Sequence, residues 1–227
     1  MKRIAFVSTL SLAAAFLSIN AEEKGNWMPL FNGKDFSGWA QHSGTAEYRV
    51  EDGCVVGKTV AGTGNSFMCT TKEYGDFILE FEFKVPEGMN SGVQFRSLFY
   101  DKDTEVEIAG KNKKFPADRV HGYQFEIDPS PRAYTGGIYD EARRGWLKDL
   151  KENEAARKAF KSGEWNTGRI ECKGDSIKTF INGVMATDVK DSLTTKGIIA
   201  LQVHGIGNKK EAVGKEIRWR NIRIQEL

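Results

Sequence analysis

From Trp27 onward the chain alternates between short apolar runs and clusters of Gly, Asn and Asp. Val, Ile, Phe and Tyr collect in Phe77 to Val85, Gly92 to Ser97, Tyr123 to Asp128, Trp165 to Lys173, Ser176 to Asn182, Ile198 to His204 and Ile217 to Gln225. Strands of this length with turn residues between them predict an all-β sandwich or barrel. Lys173-Gly174-Asp175 joins two such runs as a hairpin, and Asn182-Gly183 supplies a turn with positive-φ positions that suit those residues. One stretch departs from the pattern. Trp146 to Lys161 has no Pro or Gly and many helix formers, with Trp146, Leu150 and Phe160 near helical spacing. It predicts a single helix inserted over about 146–161, stopped by Gly163. No repeat, low-complexity run or second domain interrupts the series.

The first residues obey a different rule. Lys2 and Arg3 precede an apolar run from Ile4 to Ile19, and small Ala21 closes an Ile-Asn-Ala triplet. These are the parts of a secretory signal. A membrane span needs about 20 apolar residues, and this run is shorter and carries Ser8, Thr9, Ser11 and Ser18. No Cys lies near the cut, which argues against a lipoprotein signal. Residues 1–21 are therefore expected to be removed, leaving 22–227 as one domain, periplasmic or secreted, with no membrane anchor.

Charge narrows the partners. Without Lys2 and Arg3 the 33 basic residues become 31, equal to the 31 acidic ones. A neutral chain gives no electrostatic case for nucleic acid. Cys54, Cys69 and Cys172 allow at most one disulfide and show no metal-site spacing, so they read as small buried hydrophobes.

Chemistry emerges when the strands are read at period two. Val93 and Phe95 share one face while Gln94 and Arg96 share the other. Tyr123, Phe125 and Ile127 turn inward, opposite Gln124, Glu126 and Asp128. Leu201 and Val203 oppose Gln202 and His204. An antiparallel sheet commonly has one wet face, yet a merely solvated face favours Lys, Glu, Thr and Ser, as at Lys178 and Thr179. This face instead carries amides, a guanidinium, carboxylates and an imidazole, groups that bind in fixed geometries. Sugar hydroxyls need such partners, and sugar rings stack on aromatics such as Tyr139 or Trp146. The expected ligand is carbohydrate.

Seven ordered motifs carry a family resemblance. They are Leu30-Phe31-Asn32-Gly33-Lys34-Asp35-Phe36-Ser37-Gly38-Trp39, Asn90-Ser91-Gly92-Val93, Gly122 to Asp128, Thr135-Gly136-Gly137-Ile138-Tyr139, Gly163-Glu164-Trp165-Asn166, Leu201 to Gly205 and Arg220-Asn221-Ile222-Arg223-Ile224. Together they resemble the DUF1080 family, the 3-keto-disaccharide hydrolase domain, across Leu30 to Leu227. The resemblance implies a concanavalin A-like jelly-roll with a carbohydrate-facing sheet. It also implies cleavage of glycosides already oxidised at C3.

Such a ketone acidifies the C2 proton, so a base removes it, the C1 substituent leaves, and hydration of the double bond completes a net hydrolysis. The site then needs a base, an enolate stabiliser and a proton donor. Glu126, His204 and His121 are the candidates for acid and base. Arg96, Arg143, Arg144 or a bound divalent cation are candidates for the enolate. Gln94, Gln124, Asp128, Tyr139, Trp146 and Gln202 complete the expected substrate contacts. Asp128, Glu126 and His204 include the donor types a cation would take, though no spacing motif announces one.

Two other readings remain open. A conventional glycosidase needs two opposed carboxyl groups. Glu126-Ile127-Asp128 resembles the start of an E-x-D-x-x-E signature, but Pro131 stands where the second catalytic Glu belongs. A non-catalytic sugar-binding module would use the same amides and aromatics, with no need for a titratable base.

Overall fold

The computed structural model describes residues 26–227, so the proposed signal segment lies outside the described residues. Two antiparallel sheets pack face to face. The first runs β15 (Val184–Lys190), β14 (Ser176–Ile181), β13 (Asn166–Lys173), β6 (Phe77–Lys84), β17 (Glu216–Glu226), β4 (Cys54–Lys58) and β3 (Glu47–Glu51), with β1 (Met28–Pro29) paired to β17. The second runs β12 (Gly145–Lys148), β11 (Ile138–Glu141), β10 (His121–Ile127), β7 (Ser91–Leu98), β16 (Ile198–Val203), β5 (Ser66–Thr70) and β2 (Trp39–Ser43). A separate hairpin, β8 (Thr104–Ile108) and β9 (Lys111–Phe115), forms an arm. This is the expected all-β, concanavalin A-like jelly-roll sandwich.

Alternation builds the core. In β6, Phe77, Leu79, Phe81 and Phe83 are buried while Ile78, Glu80 and Glu82 are half-buried on the outer face. Phe81 meets Phe125 of β10 edge to face, with centroids 5.3 Å apart at 85°, an aromatic contact that joins the two sheets. Outside the first sheet, ion pairs such as Arg169–Glu80, Arg223–Glu80 and Arg220–Glu82 cross between strands. The second sheet differs, because β10 is buried along its whole length, on both faces.

Its outer face is divided. One half carries Phe67, Cys69, Ile198 and Ala200, packed with Val120 and Phe99 at the two ends of the segment that bears the arm. His42 fastens that segment by stacking on Phe99, with centroids 3.8 Å apart, and by meeting Asp118 at 2.5 Å. The other half stays open as a cleft. All three cysteines are free and buried, as small hydrophobes are.

The helix is shorter than its composition suggests. α1 spans Glu154–Ala159, capped by Asn153, whose side chain accepts from the Ala156 amide at 3.1 Å. Trp146 belongs to an edge strand instead, because Gly145–Lys148 pairs with β11. Phe160 is already extended, and Gly163 serves the following turn by donating to the Val85 carbonyl at 3.1 Å. Strand pairing outweighed helix propensity over the first half of the segment.

Candidate active site

A cleft of about 410 Å³ opens on the outer face of the second sheet, lined by Asn65, Asn90, Gln124, Glu126, Arg132, Tyr139, Glu141, Trp146 and His204. Its floor comes from the period-two positions of β7, β10 and β16. Gln124 Oε1 accepts from Gln94 Nε2 at 2.6 Å and from Gln202 Nε2 at 2.9 Å. Two incoming donors fix the amide's orientation, so Gln124 Nε2 donates to Glu126 Oε2 at 2.8 Å. Ser97 Oγ donates in turn to Gln94 Oε1 at 2.8 Å. A directed chain of dipoles therefore ends on one carboxylate.

Glu126 is 5% exposed. Its second oxygen accepts from Asn90 Nδ2 at 2.5 Å. Burial pushes its pKa up to about 7, and the Asn90 and Gln124 hydrogen bonds only partly offset this. A carboxylate poised near neutrality, facing a cleft, has the properties of a general base. Gly92 makes the arrangement possible. A Cβ there would stand 2.4 Å from Gln124 Cδ, so only glycine lets the amide lie flat across β7.

His204 follows β16 at the rim of the cleft. Its Nδ1 lies 2.7 Å from the Gly205 carbonyl. A carbonyl only accepts, so Nδ1 carries the proton and Nε2 is the free position. Tyr139 and Trp146 form an aromatic wall on neighbouring strands, 5.3 Å apart at 77°. Tyr134 meets Trp146 at 5.5 Å and 87°.

Asp128 sits one step back from the cleft. It accepts from Arg132 Nε at 2.6 Å and from the Ser130 amide at 3.1 Å. Burial raises its pKa, but these hydrogen bonds outweigh burial and hold the carboxyl below its usual value.

Four sequence candidates lie elsewhere. At Arg96 the alternation breaks, because β7 carries one extra residue between its pairings with β10 and β16, and Arg96 adopts φ 45°. Its fully buried guanidinium bonds Gly75 O, Gly174 O and Asp76 Oδ1, each at 2.8 Å, tying one end of the sandwich together. Arg96, Glu126 and His204 thus form no single constellation. Arg143 and Arg144 both turn to buried Asp140, at 2.6 and 2.5 Å, and Arg144 also grips Asp191. They lock the end of β11 rather than line the cleft. His121 is stacked on Phe115 at 3.9 Å and beside Tyr100 at 5.1 Å. Burial, with Arg143 and Arg119 adding to it, lowers its pKa to about 4, so the ring is neutral near pH 7.

The cleft brings in residues that the sequence reading did not single out. Arg132, from the loop after β10, is its guanidinium, packed 5.6 Å from the Trp146 ring. Its four-residue spacing from Asp128 was the available signal. Asn90, inside a recognised motif, is a donor to Glu126. Glu141, held by Arg119 at 2.7 Å and Asn65 at 3.2 Å, is a second carboxylate in the cleft. Among the described residues no three His, Cys, Asp or Glu side chains gather as a metal site. Asp128 is engaged with Arg132, and both Glu126 oxygens accept from amides.

Sandwich, polar floor and aromatic wall define a carbohydrate-related β-sandwich protein. The chain belongs to the 3-keto-alpha-glucoside-1,2-lyase-like domain family, whose sequence model matches residues 26–225. No curated protein sequence matches it significantly. Among solved structures it is similar to a protein described as a glycosyl hydrolase from Parabacteroides distasonis ATCC 8503, with TM-score 0.57, 18% identity, and coverage of 89% of this chain and 94% of that one. The carbohydrate binding module CBM66 from Bacillus subtilis aligns with TM-score 0.55 at 16% identity, covering 83% and 96%. A Bacillus licheniformis beta-glucanase aligns with TM-score 0.54 at 12% identity, covering 89% and 98%. At these identities the likeness is one of fold.

Proposed function

We propose that the protein cleaves 3-keto-glycosides by elimination across C1 and C2, outside the cytoplasm. The observation that carries this reading is Glu126, a buried carboxylate in the cleft with a pKa near 7 and both oxygens oriented by amide donors. Glu126 takes the C2 proton, and the C2–H electron pair moves into an enolate on the C3 oxygen. Arg132 supplies the positive charge that steadies this oxygen. As the enolate collapses back to the ketone, the C1–O bond breaks and His204, entering the step as the imidazolium, gives its Nε2 proton to the departing oxygen and keeps the Nδ1 proton on the Gly205 carbonyl. The products are an unsaturated 3-keto sugar and a free alcohol. Water adding a proton at C2 and hydroxyl at C1 then completes hydrolysis.

The test is a 3-keto-glucoside bearing deuterium at C2, run beside its unoxidised parent. Elimination predicts turnover of the ketone alone, with deuterium lost or exchanged. Rapid hydrolysis of the parent with deuterium retained would overturn the mechanism. Binding without turnover of either would assign the cleft to a sugar-binding module.

A further inference from the structure

His204 and Asn90 have a second side. Beyond them lies a more enclosed cavity of about 170 Å³, lined by Thr59, Gly88, Met89, Asn90, His204, Gly205, Ile206, Lys209, Ala212 and Lys215. The two cavities therefore share one wall, and that wall holds the donor to Glu126 and the proposed proton donor. A substrate whose C2 faces Glu126 has its C1 substituent one bond away. The pocket across His204 is placed to receive it.

We propose that this pocket is the leaving-group subsite, and that it takes a flat aromatic aglycone bearing a carboxylate. This rests on the lyase reading above. Size supports one ring, since a cavity of about 150 Å³ accepts benzene. Chemistry argues against a second sugar. Apart from the shared Asn90 and His204, the only side-chain hydroxyl is Thr59 Oγ1, which is engaged with the backbone at Ala212 O, 2.5 Å, and receives the Lys215 amide at 3.1 Å. Met89, Ile206 and Ala212 offer apolar contact instead.

Charge specifies the substituent. Lys209 and Lys215 line the cavity and no carboxylate does. Lys215 Nζ donates to the Glu87 carbonyl at 2.8 Å, and among the described residues neither lysine has an ion-pair partner. The walls are preformed. Thr59 exchanges backbone hydrogen bonds with Lys215 O and Gly214 N, each at 3.0 Å, and the Gly62 amide donates to Gly207 O at 3.0 Å.

The experiment compares 3-keto-glucosides whose leaving groups are methanol, phenol, 4-hydroxybenzoate and glucose, on the full chain and on Lys209→Gln. Taking the 4-hydroxybenzoate-to-phenol ratio of kcat/KM in each protein cancels intrinsic leaving-group ability. That ratio should fall about five- to tenfold in Lys209→Gln, the size expected of one charge pair at roughly 4–5 Å near a surface in contact with water. Free 4-hydroxybenzoate should also perturb the Met89 methyl and Ile206 resonances saturably, and more weakly in the variant. An unchanged ratio with no such perturbation overturns the subsite. If no 3-keto-glycoside reacts but 4-hydroxybenzoate still binds at Met89 and Ile206, the lyase reading fails and the anion-binding pocket stands.

Discussion

Replacing Glu126 by Gln keeps the outline of the side chain and removes its titration, so it separates the acid–base role from the packing role. In the folded protein the carboxyl has a pKa near 7, against 4.5 for an ordinary Glu. Each pH unit corresponds to 1.36 kcal/mol, so holding the ionised form in the fold costs at most about 3 kcal/mol. The sign follows from a raised pKa. Below about pH 4.5 the group is protonated folded or unfolded, and its contribution is fully present. Between 4.5 and 7 the unfolded chain releases the proton first, and the folded state loses ground. Chemical unfolding of wild type and Glu126→Gln at pH 4.5, 6 and 8 should show the variant gaining on wild type by up to about 3 kcal/mol over that range. Activity should move the opposite way. Loss of a positioned base lowers the rate by about 10² to 10⁴, and the wild-type rise of kcat/KM through a midpoint near pH 7 should vanish from the residual activity. A stability difference that stays constant with pH, or a variant that keeps the same ionisation in its rate profile, would refute the assignment.

Gly92→Ala should force Gln124 aside, because its Cβ would meet Gln124 Cδ at 2.4 Å. We expect about 1–3 kcal/mol of lost stability by denaturant titration and roughly a hundredfold loss of rate from the misplaced carboxylate. His121 has its pKa lowered from 6.5 to about 4, so its contribution is present above pH 6.5 and lost as pH falls towards 4. Stability should drop by up to about 3 kcal/mol over that range, and thermal melts of His121→Phe should show a flatter acid limb with activity retained. Mass spectrometry of the protein from its native host should find a chain beginning near Glu22. Retention of Met1 to Ala21 in a membrane fraction would refute export.

The fold was legible wherever one rule governed a whole segment. Alternation places Tyr123, Phe125 and Ile127 inward and Gln124 and Glu126 outward, as found, and Gln94, Gln124, Glu126 and Gln202 come together because their strands are regular there. Arg96 failed for a local reason. One extra residue in β7 reverses the face of everything beyond it, and nothing in Val93-Gln94-Phe95-Arg96 marks the bulge. Arg143 and Arg144 are enolate candidates by residue type alone, but buried Asp140 holds both and Asp191 also holds Arg144. Trp146 lines the cleft from an edge strand rather than from the expected helix, since a strand of four residues carries too little pattern to compete with a helical composition. Asn90 and Glu141 depend on long-range pairing that a linear pattern does not contain, whereas Arg132 stands only four residues from its partner Asp128.

Long-range pairing also explains why the polar face differs from a merely wetted surface. Gln94 and Gln202 are fully buried although they lie on the outer side of their sheet. A buried amide is costly unless its donors and acceptors are matched. Here most are matched to one another across three strands, with Ser97 starting the chain and Glu126 ending it, and of the three amide oxygens Gln202 Oε1 is the one without a protein partner among the described residues. Each amide's orientation is set by the one before it, so the carboxylate is held without help from a ligand. A site built only to bind sugar would gain little from aligning this many dipoles on a group that titrates near pH 7. A base that must remove a carbon-bound proton gains on two counts. Burial raises its basicity, and the fixed amides hold its lone pairs in place through the transfer.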